Sequence, residues 1–286
     1  MKKIQEKALR TFVSITVLVL VSMLGQFFVS GTGFDKETIA IWIFDVGQGD
    51  AIFIDAPNAQ VLIDGGPSVE VIEKLTATMP YWDRSIDLLV NSHPHADHVT
   101  GLVHVLERYD VTSVWTSGQA YGTDIFDAFK DLSFQQAVVS GEVIDLGAGA
   151  TLTVLWPELS FADDRLENTH DANVTLLFEY GETTMLFTGD METEVEEQIL
   201  AQLEHIDVLK VGHHGSLTST SPELLEVTTP DYAVIQVGED NSYGHPHPVI
   251  LDRLKNYDAQ ILRTDQDGDV RITTDGGEPS LMLFDL

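Results

Sequence analysis

Residues 92–98 read SHPHADH, which places three histidines and one aspartate within seven positions. The residues just before this cluster, Asp87–Asn91, have the apolar pattern of a buried strand. Imidazoles and carboxylates that extend from the end of a strand are typical ligands of a divalent metal in a hydrolytic site. The spacing predicts that the first two ligands converge on one ion and the last two turn toward a second ion: His93, His95, Asp97 and His98.

Further candidate ligands follow two later strand patterns. Asp190 ends the stretch FTGD and is the best candidate for a carboxylate that bridges two ions. His213 and His214 follow the predicted strand Ile206–Val211. One of them completes a metal shell and takes part in catalysis, and the other contacts the substrate or acts as an acid; we favour His214 as the ligand. Ser216, in the same turn, is a further candidate substrate contact.

Two other groups of residues are candidates for a role beside the metal ligands. The stretch YGHPHP at residues 243–248 holds His245 and His247 in a loop fixed by prolines, either as contacts to a substrate phosphate or leaving group or as turn and capping residues. Asp50 ends the strand-to-turn stretch DVGQGD, and Asp64 begins the turn stretch DGG at residues 64–66. Their carboxylates are predicted to support the ligand loops from behind.

The chain is strongly acidic. Its 286 residues carry a formal net charge of −31, with 43% hydrophobic and 21% charged residues, which is typical of a globular protein. Such a surface repels phosphodiester backbones and argues against tight non-specific binding of nucleic acid, although bound cations can reverse the sign of the charge inside a cleft. A solubility device or adaptation to a saline habitat also explains it. No cysteine is present, which excludes disulfides and thiolate ligands.

Residues 1–33 are predicted to form a separate targeting segment. Four basic residues within the first ten precede the apolar run Phe12–Leu24. A cleaved secretory signal and a membrane anchor over residues 11–29 both fit this pattern. Either one places the acidic domain, residues 34–286, outside the cytoplasm.

From about residue 38 onward, strand patterns alternate with helical patterns. We expect a helix over Ile125–Ala137 and two closing strands near Ile261 and Val270. The chain contains no internal repeat and no linker-like stretch in this region. One mixed α/β domain is the simplest account.

Together the motifs resemble the metallo-β-lactamase superfamily and, within it, the hydrolase domain of competence DNA-uptake proteins of the ComEC type. The resemblance spans about residues 39–276 and rests on seven stretches: FDVGQGDA at 44–51, LIDGG at 62–66, HPHADH at 93–98, FTGD at 187–190, LKVGHHGS at 209–216, YGHPHP at 243–248 and RTDQDG at 263–268. It implies an αββα four-layer sandwich with the metals at one edge of the sheets, here preceded by the hydrophobic N-terminal segment.

The chain departs from the wider superfamily at one ligand. The superfamily places a further histidine before the strand that leads to FTGD, whereas this chain has Asn173 there, as the ComEC-type pattern is expected to have. Asn173 then becomes a candidate substrate contact, and His170 is an alternative ligand for the first ion. After residue 29 no stretch approaches the 18 or so apolar residues of a membrane span, so we expect no DNA transport by this chain alone.

The expected activity is that of an exported phosphodiester hydrolase, in first place a ComEC-like DNA nuclease with one or two Zn²⁺ or Mn²⁺ ions. A metal-bound hydroxide would be oriented by Asp97 and Asp190, while Lys210 or His247 takes up developing charge. One alternative substrate is an envelope phosphodiester such as phosphocholine or teichoic acid. Another reading is a non-catalytic, metal-binding accessory protein. A β-lactamase is not expected, because the motifs match the phosphodiester branch.

Overall fold

Fifteen strands and seven α-helices make up the part of the chain that the computed structural model describes, residues 38–162 and 166–286. The strands are β1 (Ile39–Ile43), β2 (Ile52–Asp55), β3 (Gln60–Ile63), β4 (Ser85–Val90), β5 (Asp110–Thr116), β6 (Gln135–Ala137), β7 (Val143–Gly147), β8 (Ala150–Trp156), β9 (Thr175–Tyr180), β10 (Thr183–Phe187), β11 (Val208–Lys210), β12 (Tyr232–Ile235), β13 (Gln260–Arg263), β14 (Asp269–Thr274) and β15 (Ser280–Phe284). The helices are α1 (Glu70–Thr78), α2 (Ala96–Leu106), α3 (Asp124–Leu132), α4 (Thr193–Ile199), α5 (Pro222–Thr228), α6 (Pro248–Asn256) and α7 (Thr264–Asp267).

The strands form two mixed sheets. The first has the order β15-β14-β1-β2-β3-β4-β5-β6 and the second has the order β13-β12-β11-β10-β9-β8-β7. Each sheet contains one parallel block, β3 to β6 in the first and β10 to β13 in the second. The remaining neighbours pair antiparallel.

The interior contains three hydrophobic cores, one between the two sheets and one on the outer face of each sheet, because successive side chains of a strand point to opposite faces. In β1, Ile41 packs in the core between the two sheets, whereas its neighbour Trp42 packs on the outer face of the first sheet. Helices α1, α2 and α3 cover that outer face, and α4, α5 and α6 cover the outer face of the second sheet. The layers are therefore helix, sheet, sheet, helix, as the resemblance to the superfamily implies.

The parallel blocks bring several strand ends to common edges. In the first sheet Ile63 of β3 is level with Val90 of β4. In the second sheet Phe187 of β10 is level with Lys210 of β11. The segments that leave these strands start side by side, and they carry the histidines and aspartates singled out above.

Local structure differs from the sequence prediction at three points. The helix predicted over residues 125–137 ends at Leu132, because Gln135–Ala137 pairs with β5 as strand β6 and this tertiary pairing overrides the helical pattern. Helix α5 was not expected; Ser221 caps it by accepting a hydrogen bond from the Leu224 amide, and Pro222 occupies its first turn. Strand β15 was also not expected, and it lies at the edge of the first sheet.

The predicted targeting segment, residues 1–33, lies outside the described residues. Among the residues that the structure does describe, no helix is long and apolar enough to cross a membrane.

A buried ion pair connects α1 to the last strands. Lys74 Nζ lies 2.9 Å from Asp269 Oδ2, and both side chains are almost fully buried. Asp269 also accepts hydrogen bonds from the Asp45 and Leu286 amides. The carboxylate therefore ties the β1–β2 turn, helix α1 and the C-terminus together.

Replacing Lys74 with methionine should lower the free energy of unfolding by about 3–5 kcal/mol, because the Asp269 charge would stay buried without its partner. Urea denaturation at neutral pH measures this. The matched control is Lys130→Met, which removes the ammonium group beside Asp127 from a side chain that is 45% exposed, and it should cost less than about 1 kcal/mol. An equal effect of the two substitutions would contradict the assigned role of the ion pair.

Candidate metal centre

The predicted ligands meet where the two sheets present the ends of their parallel strands. His93 and His95 follow β4, while Asp97 and His98 lie in the first turn of α2 rather than in a free loop. Asp190 follows β10, and the turn that holds His214 follows β11. Three short segments, one from the first sheet and two from the second, thus converge on one cluster of histidine and carboxylate side chains.

One half of the cluster consists of His93, His95, His170 and Asp190, whose ligand atoms lie within 4.8 Å of one another. His93 Nε2 is 3.7 Å from Asp190 Oδ2 and 3.0 Å from His95 Nδ1. His170 Nε2 is 3.3 Å from His95 Nδ1 and 3.9 Å from Asp190 Oδ2. The structure therefore brings His170, the alternative ligand for the first ion, into the same group as His93 and His95.

The other half consists of Asp97, His98 and His214, and it adjoins the second oxygen of Asp190. His98 Nε2 is 3.4 Å from Asp190 Oδ1, and His214 Nε2 is 3.5 Å from the same oxygen. His214 Nε2 is also 3.5 Å from Asp97 Oδ2. Asp190 thus offers one oxygen to each half, which is the geometry that a bridging carboxylate needs.

The spacing of these atoms suits divalent ions. Tetrahedral ligands on bonds of about 2.0–2.1 Å lie roughly 3.3 Å from one another, close to most of the separations above. Asp190 Oδ1, His98 Nε2 and His214 Nε2 are buried and have no hydrogen-bond partner among the described residues. Buried polar atoms are normally paired, so three unpaired atoms that face one another fit a bound cation.

The opposite ring nitrogen of each central imidazole is held by a polar partner. His98 Nδ1 is 2.8 Å from Asp64 Oδ2, and His214 Nδ1 is 2.8 Å from the Gln236 carbonyl oxygen. The same pattern fixes His93 through the Ser92 hydroxyl and His95 through the Thr169 hydroxyl. Such contacts select the tautomer and orient the free nitrogen toward a metal.

Asn173 fixes Asp190 and does not contact substrate. Its side chain is fully buried; Oδ1 accepts a hydrogen bond from the Asp190 amide, and Nδ2 donates to the Thr188 carbonyl. Gly189 has φ +52°, and a Cβ there would collide with Asn173 Oδ1. The prediction of Asn173 as a substrate contact is wrong for this reason, and the residue instead clamps the turn that presents the carboxylate.

Asp190 and Asp97 carry negative charge inside the cluster. Burial raises the pKa of Asp190, but the facing imidazoles of His214 and His98 hold this pKa well below its usual range. Burial also raises the pKa of Asp97, but the facing imidazoles of His214 and His98 outweigh this effect and lower it. Both groups are ionised at neutral pH, the form that binds a metal.

His98 and His214 carry protons when no ion is bound. Burial lowers the pKa of His214, but the carboxylates of Asp190 and Asp50 raise it to about 10. Burial likewise opposes protonation of His98, yet Asp190 and Asp64 raise its pKa well above the usual value. A divalent ion would replace these protons as the partner of the carboxylates, so binding of metal would release protons.

His213 is built differently from its neighbour. Its Nε2 lies 3.6 Å from Asp190 Oδ2, and its Nδ1 lies 3.5 Å from Glu192 Oε1. Its side chain is 21% exposed, whereas that of His214 is 2% exposed. Both residues have left-handed backbone, with φ of 48° and 53°, a strained conformation that is typical of functional sites.

Asp50 supports His214 from behind, together with Lys210. Asp50 Oδ1 is 3.4 Å from His214 Nδ1, and Asp50 Oδ2 is 2.7 Å from Lys210 Nζ. The adjacent Gly49 packs on the Asp97 backbone, and a Cβ at this position would collide with the Asp97 carbonyl oxygen. The stretch DVGQGD is therefore a brace for the HPHADH segment.

Three predicted site residues do not face the cleft. Lys210 is fully buried by its contacts to Asp50 and the Val211 carbonyl, so its ammonium group does not reach a substrate. His247 caps α6 by accepting a hydrogen bond from the Val249 amide. Ser216 is 7% exposed and bonds Thr218 within its own turn. Their predicted catalytic or substrate-binding roles are corrected to structural ones.

An open cleft of about 330 Å³ exposes the cluster of histidine and carboxylate side chains to solvent. Its walls are formed by Gln48, His95, Ala96, Asp97, Asp190, His213, His214, Tyr243 and His245. His213 and His245 thus lie where a substrate would enter. Glu192 and Tyr243 were not predicted as site residues. Glu192 is one of several glutamates at the start of a helix, and Tyr243 begins the YGHPHP stretch, in which only the histidines suggested a function.

The chain is similar to several known proteins. A family model described as the metallo-beta-lactamase superfamily matches residues 44–239. The chain is 29% identical over 257 residues to ComE operon protein 3 of Bacillus subtilis, covering 80% of this chain and 32% of that protein. It is 31% identical over 250 residues to Recombination protein 2 of Haemophilus influenzae, covering 83% of this chain and 29% of that protein. Competence protein ComA of Neisseria gonorrhoeae is 29% identical over 241 residues, with 82% of this chain and 32% of that protein covered. The chain spans about a third of the length of these relatives.

A solved structure supports the fold independently. CmlA, a diiron beta-hydroxylase from Streptomyces venezuelae, matches with a TM-score of 0.54 at 15% identity, covering 86% of this chain and 54% of that chain. This likeness concerns the fold alone. The family model covers more than half of the chain, and the resemblance drawn from the sequence motifs is confirmed. The chain belongs to the metallo-beta-lactamase superfamily and is related to proteins of the ComEC-like competence group.

Proposed function

We propose that the chain is a metal-dependent hydrolase of phosphodiester bonds and that its substrate is DNA. The observation that carries the proposal is the pair of ligand groups that share Asp190 and open into one cleft. One ion would be held by His93, His95, His170 and Asp190, and the other by Asp97, His98, His214 and Asp190. Zn²⁺ and Mn²⁺ both suit ligands of this kind.

Two bound ions would polarise the phosphoryl oxygens and make a water nucleophilic at neutral pH. The protein orients the reaction through its own side chains. Asp97, 29% exposed and ionised, borders the cleft and positions the attacking water. His213 stands in the cleft wall with Glu192 on its other ring nitrogen, and it donates a proton to the leaving oxygen.

Two considerations favour DNA over other phosphodiesters. The matching relatives are named for competence and recombination, activities that involve DNA. The cleft is open and lies at the edge of the sheets, so an extended chain can cross it.

We further propose that the domain acts outside the cytoplasm and that residues 11–29 either are removed as a signal or tether it to the membrane.

The distribution of charge favours a second candidate, a phosphodiester of the cell envelope such as phosphocholine or teichoic acid. Only nine of the fifteen lysines and arginines fall in the described residues, where acidic residues outnumber them more than four to one. Within this part of the chain, none of the nine lines the cleft. Most are held by other groups: Lys74 by Asp269, Lys210 by Asp50, Arg108 by Glu107, Lys130 by Asp127, Arg263 by Asp265 and Arg253 by backbone carbonyls.

The full chain supplied with Mn²⁺ or Zn²⁺ should hydrolyse bis(p-nitrophenyl) phosphate, and His95→Ala should reduce kcat at least about 100-fold through loss of a ligand. Release of p-nitrophenol measures the rate. The control is His104→Ala, since His104 lies on the solvent side of α2, beside Glu107. Inactivity with every metal tried would favour a non-catalytic accessory protein.

Labelled single-stranded DNA and a phosphocholine polymer, offered to the active protein in parallel, distinguish the two candidate substrates. Cleavage of DNA alone supports the nuclease, and cleavage of the polymer alone overturns it in favour of the envelope enzyme. Turnover of nitrocefin would contradict assignment to the phosphodiester branch.

His170→Ala should reduce the number of tightly bound zinc ions from two to one per chain, because it removes the third imidazole of the first ligand group. Elemental analysis after dialysis gives the stoichiometry. His104→Ala serves as the control, since His104 lies on the solvent side of α2 and belongs to none of the possible ligand groups among the described residues. Two tightly bound ions in His170→Ala would show that His170 is not a ligand.

Raising the ionic strength should not weaken cleavage of an oligonucleotide. Nucleases that bind phosphates through lysine and arginine lose affinity steeply with salt, because counterion release drives that binding. Here repulsion between an acidic protein and a polyanion is screened instead, so kcat/KM should stay constant or rise between about 50 mM and about 500 mM salt. Bis(p-nitrophenyl) phosphate, with one charge, is the reference substrate. A steep fall with salt would reveal a basic binding surface.

A further inference from the structure

The loop between β12 and α6 places an exposed aromatic ring at the mouth of the cleft. Tyr243 is 68% exposed and forms part of the cleft wall. Its ring lies nearly parallel to that of His245, with centroids 5.8 Å apart and an angle of 25° between the planes. The ring of His245 in turn meets that of His213 edge-on, with centroids 5.7 Å apart. The rings lead from solvent to the metal cluster.

This loop is held in place before any substrate binds. Asn241 Oδ1 accepts a hydrogen bond from the His245 amide, and Asn241 Nδ2 donates to the carbonyls of Gly238 and His245. The Gly238 amide donates to Gln48 Oε1, which connects the loop to the β1–β2 turn. A ring on such a clamped loop loses little conformational entropy on binding a ligand.

Apart from the metal ligands, the cleft has few side chains that could bind a substrate. Its described walls contain histidines, aspartates, Gln48 and Ala96 but no lysine or arginine, so the negative charges along a substrate find no cationic side chain there. An aromatic face, by contrast, binds the face of any flat ring, and this contact does not depend on charge. Tyr243 has one face supported by His245 and is otherwise largely open to solvent.

We propose that Tyr243, supported by His245, determines specificity by stacking on the base of a nucleoside that is esterified to the scissile phosphodiester. The base must be unpaired, because both faces of a base inside a duplex are covered by its neighbours. The inference rests on the proposed phosphodiesterase activity and adds to it a requirement for a nucleoside next to the bond that breaks. Diesters of simple alcohols reach the metals but lack this contact.

Two substrates with the same leaving group test the proposal: thymidine 5′-(p-nitrophenyl) phosphate and methyl p-nitrophenyl phosphate. With the metal-loaded full chain, Tyr243→Ala should raise KM for the thymidine ester roughly tenfold and leave its kcat unchanged. For the methyl ester both constants should stay within about twofold. Tyr243→Phe should behave as the unmodified protein, because it keeps the ring and removes only the hydroxyl.

A binding experiment without metal gives a second readout. In EDTA, saturation-transfer NMR with thymidine should show contacts to the base protons that disappear in Tyr243→Ala. Tyr81→Ala is the control for loss of an exposed tyrosine, because Tyr81 is 79% exposed but does not line the cleft.

The outcomes separate the inference from the proposed function. If neither ester is hydrolysed by the unmodified chain, the phosphodiesterase activity itself is wrong. If both are hydrolysed and Tyr243→Ala changes KM for both esters alike or for neither, the stacking role is wrong while the activity stands. Equal loss of the thymidine NMR signal in Tyr81→Ala would also overturn it.

Discussion

The carboxylate of Asp190 is the group on which the site depends. It is buried and ionised, and its two oxygens face imidazoles on opposite sides, at 3.7 Å from His93 Nε2 and 3.4 Å from His98 Nε2. An isolated charge in such a place would be strongly destabilising, so cations must surround it. The structure meets this need with protonated imidazoles, and a pair of divalent ions meets it more directly. The same negative charge that makes the cluster costly without an ion suits it to bind metal.

Much of the chain serves to hold this carboxylate and its partners. Asn173 clamps the turn at Gly189, Asp64 holds His98, and Asp50 with the Gln236 carbonyl holds His214. These supports come from both sheets, and the parallel strand ends bring them to one edge. The fold therefore supplies orientation, and the ligand segments supply the chemistry.

The sequence was most informative where a motif is short and dense. HPHADH combines several ligands in six residues, so its place after a strand and its likeness to a family could be read directly. It was least informative where the role depends on contacts between distant residues. Lys210 looked like a cation near the site, but only the tertiary structure shows that Asp50 covers it. His170 precedes Asn173 by three positions, and a 3₁₀ turn over Thr169–Ala172 is what turns its ring toward His95. For the same reason β6 could not be separated from the preceding helical pattern, since pairing with β5 decides it.

The negative net charge of the chain is compatible with a site for a negatively charged substrate, because charge repulsion and direct contacts act over different distances. Repulsion of a polyanion is long-ranged and screened by salt, whereas ligation and stacking act at contact. With the proposed activity, such a chain would depend on bound metals for the phosphate and on rings such as Tyr243 for the rest of the substrate. The central claim, that Asp190 joins two metal positions, is tested most directly by anomalous diffraction from a zinc-loaded crystal. The account predicts two zinc peaks flanking Asp190, one bound by His93, His95 and His170 and the other by Asp97, His98 and His214. A single peak, or peaks that do not contact Asp190, would contradict it.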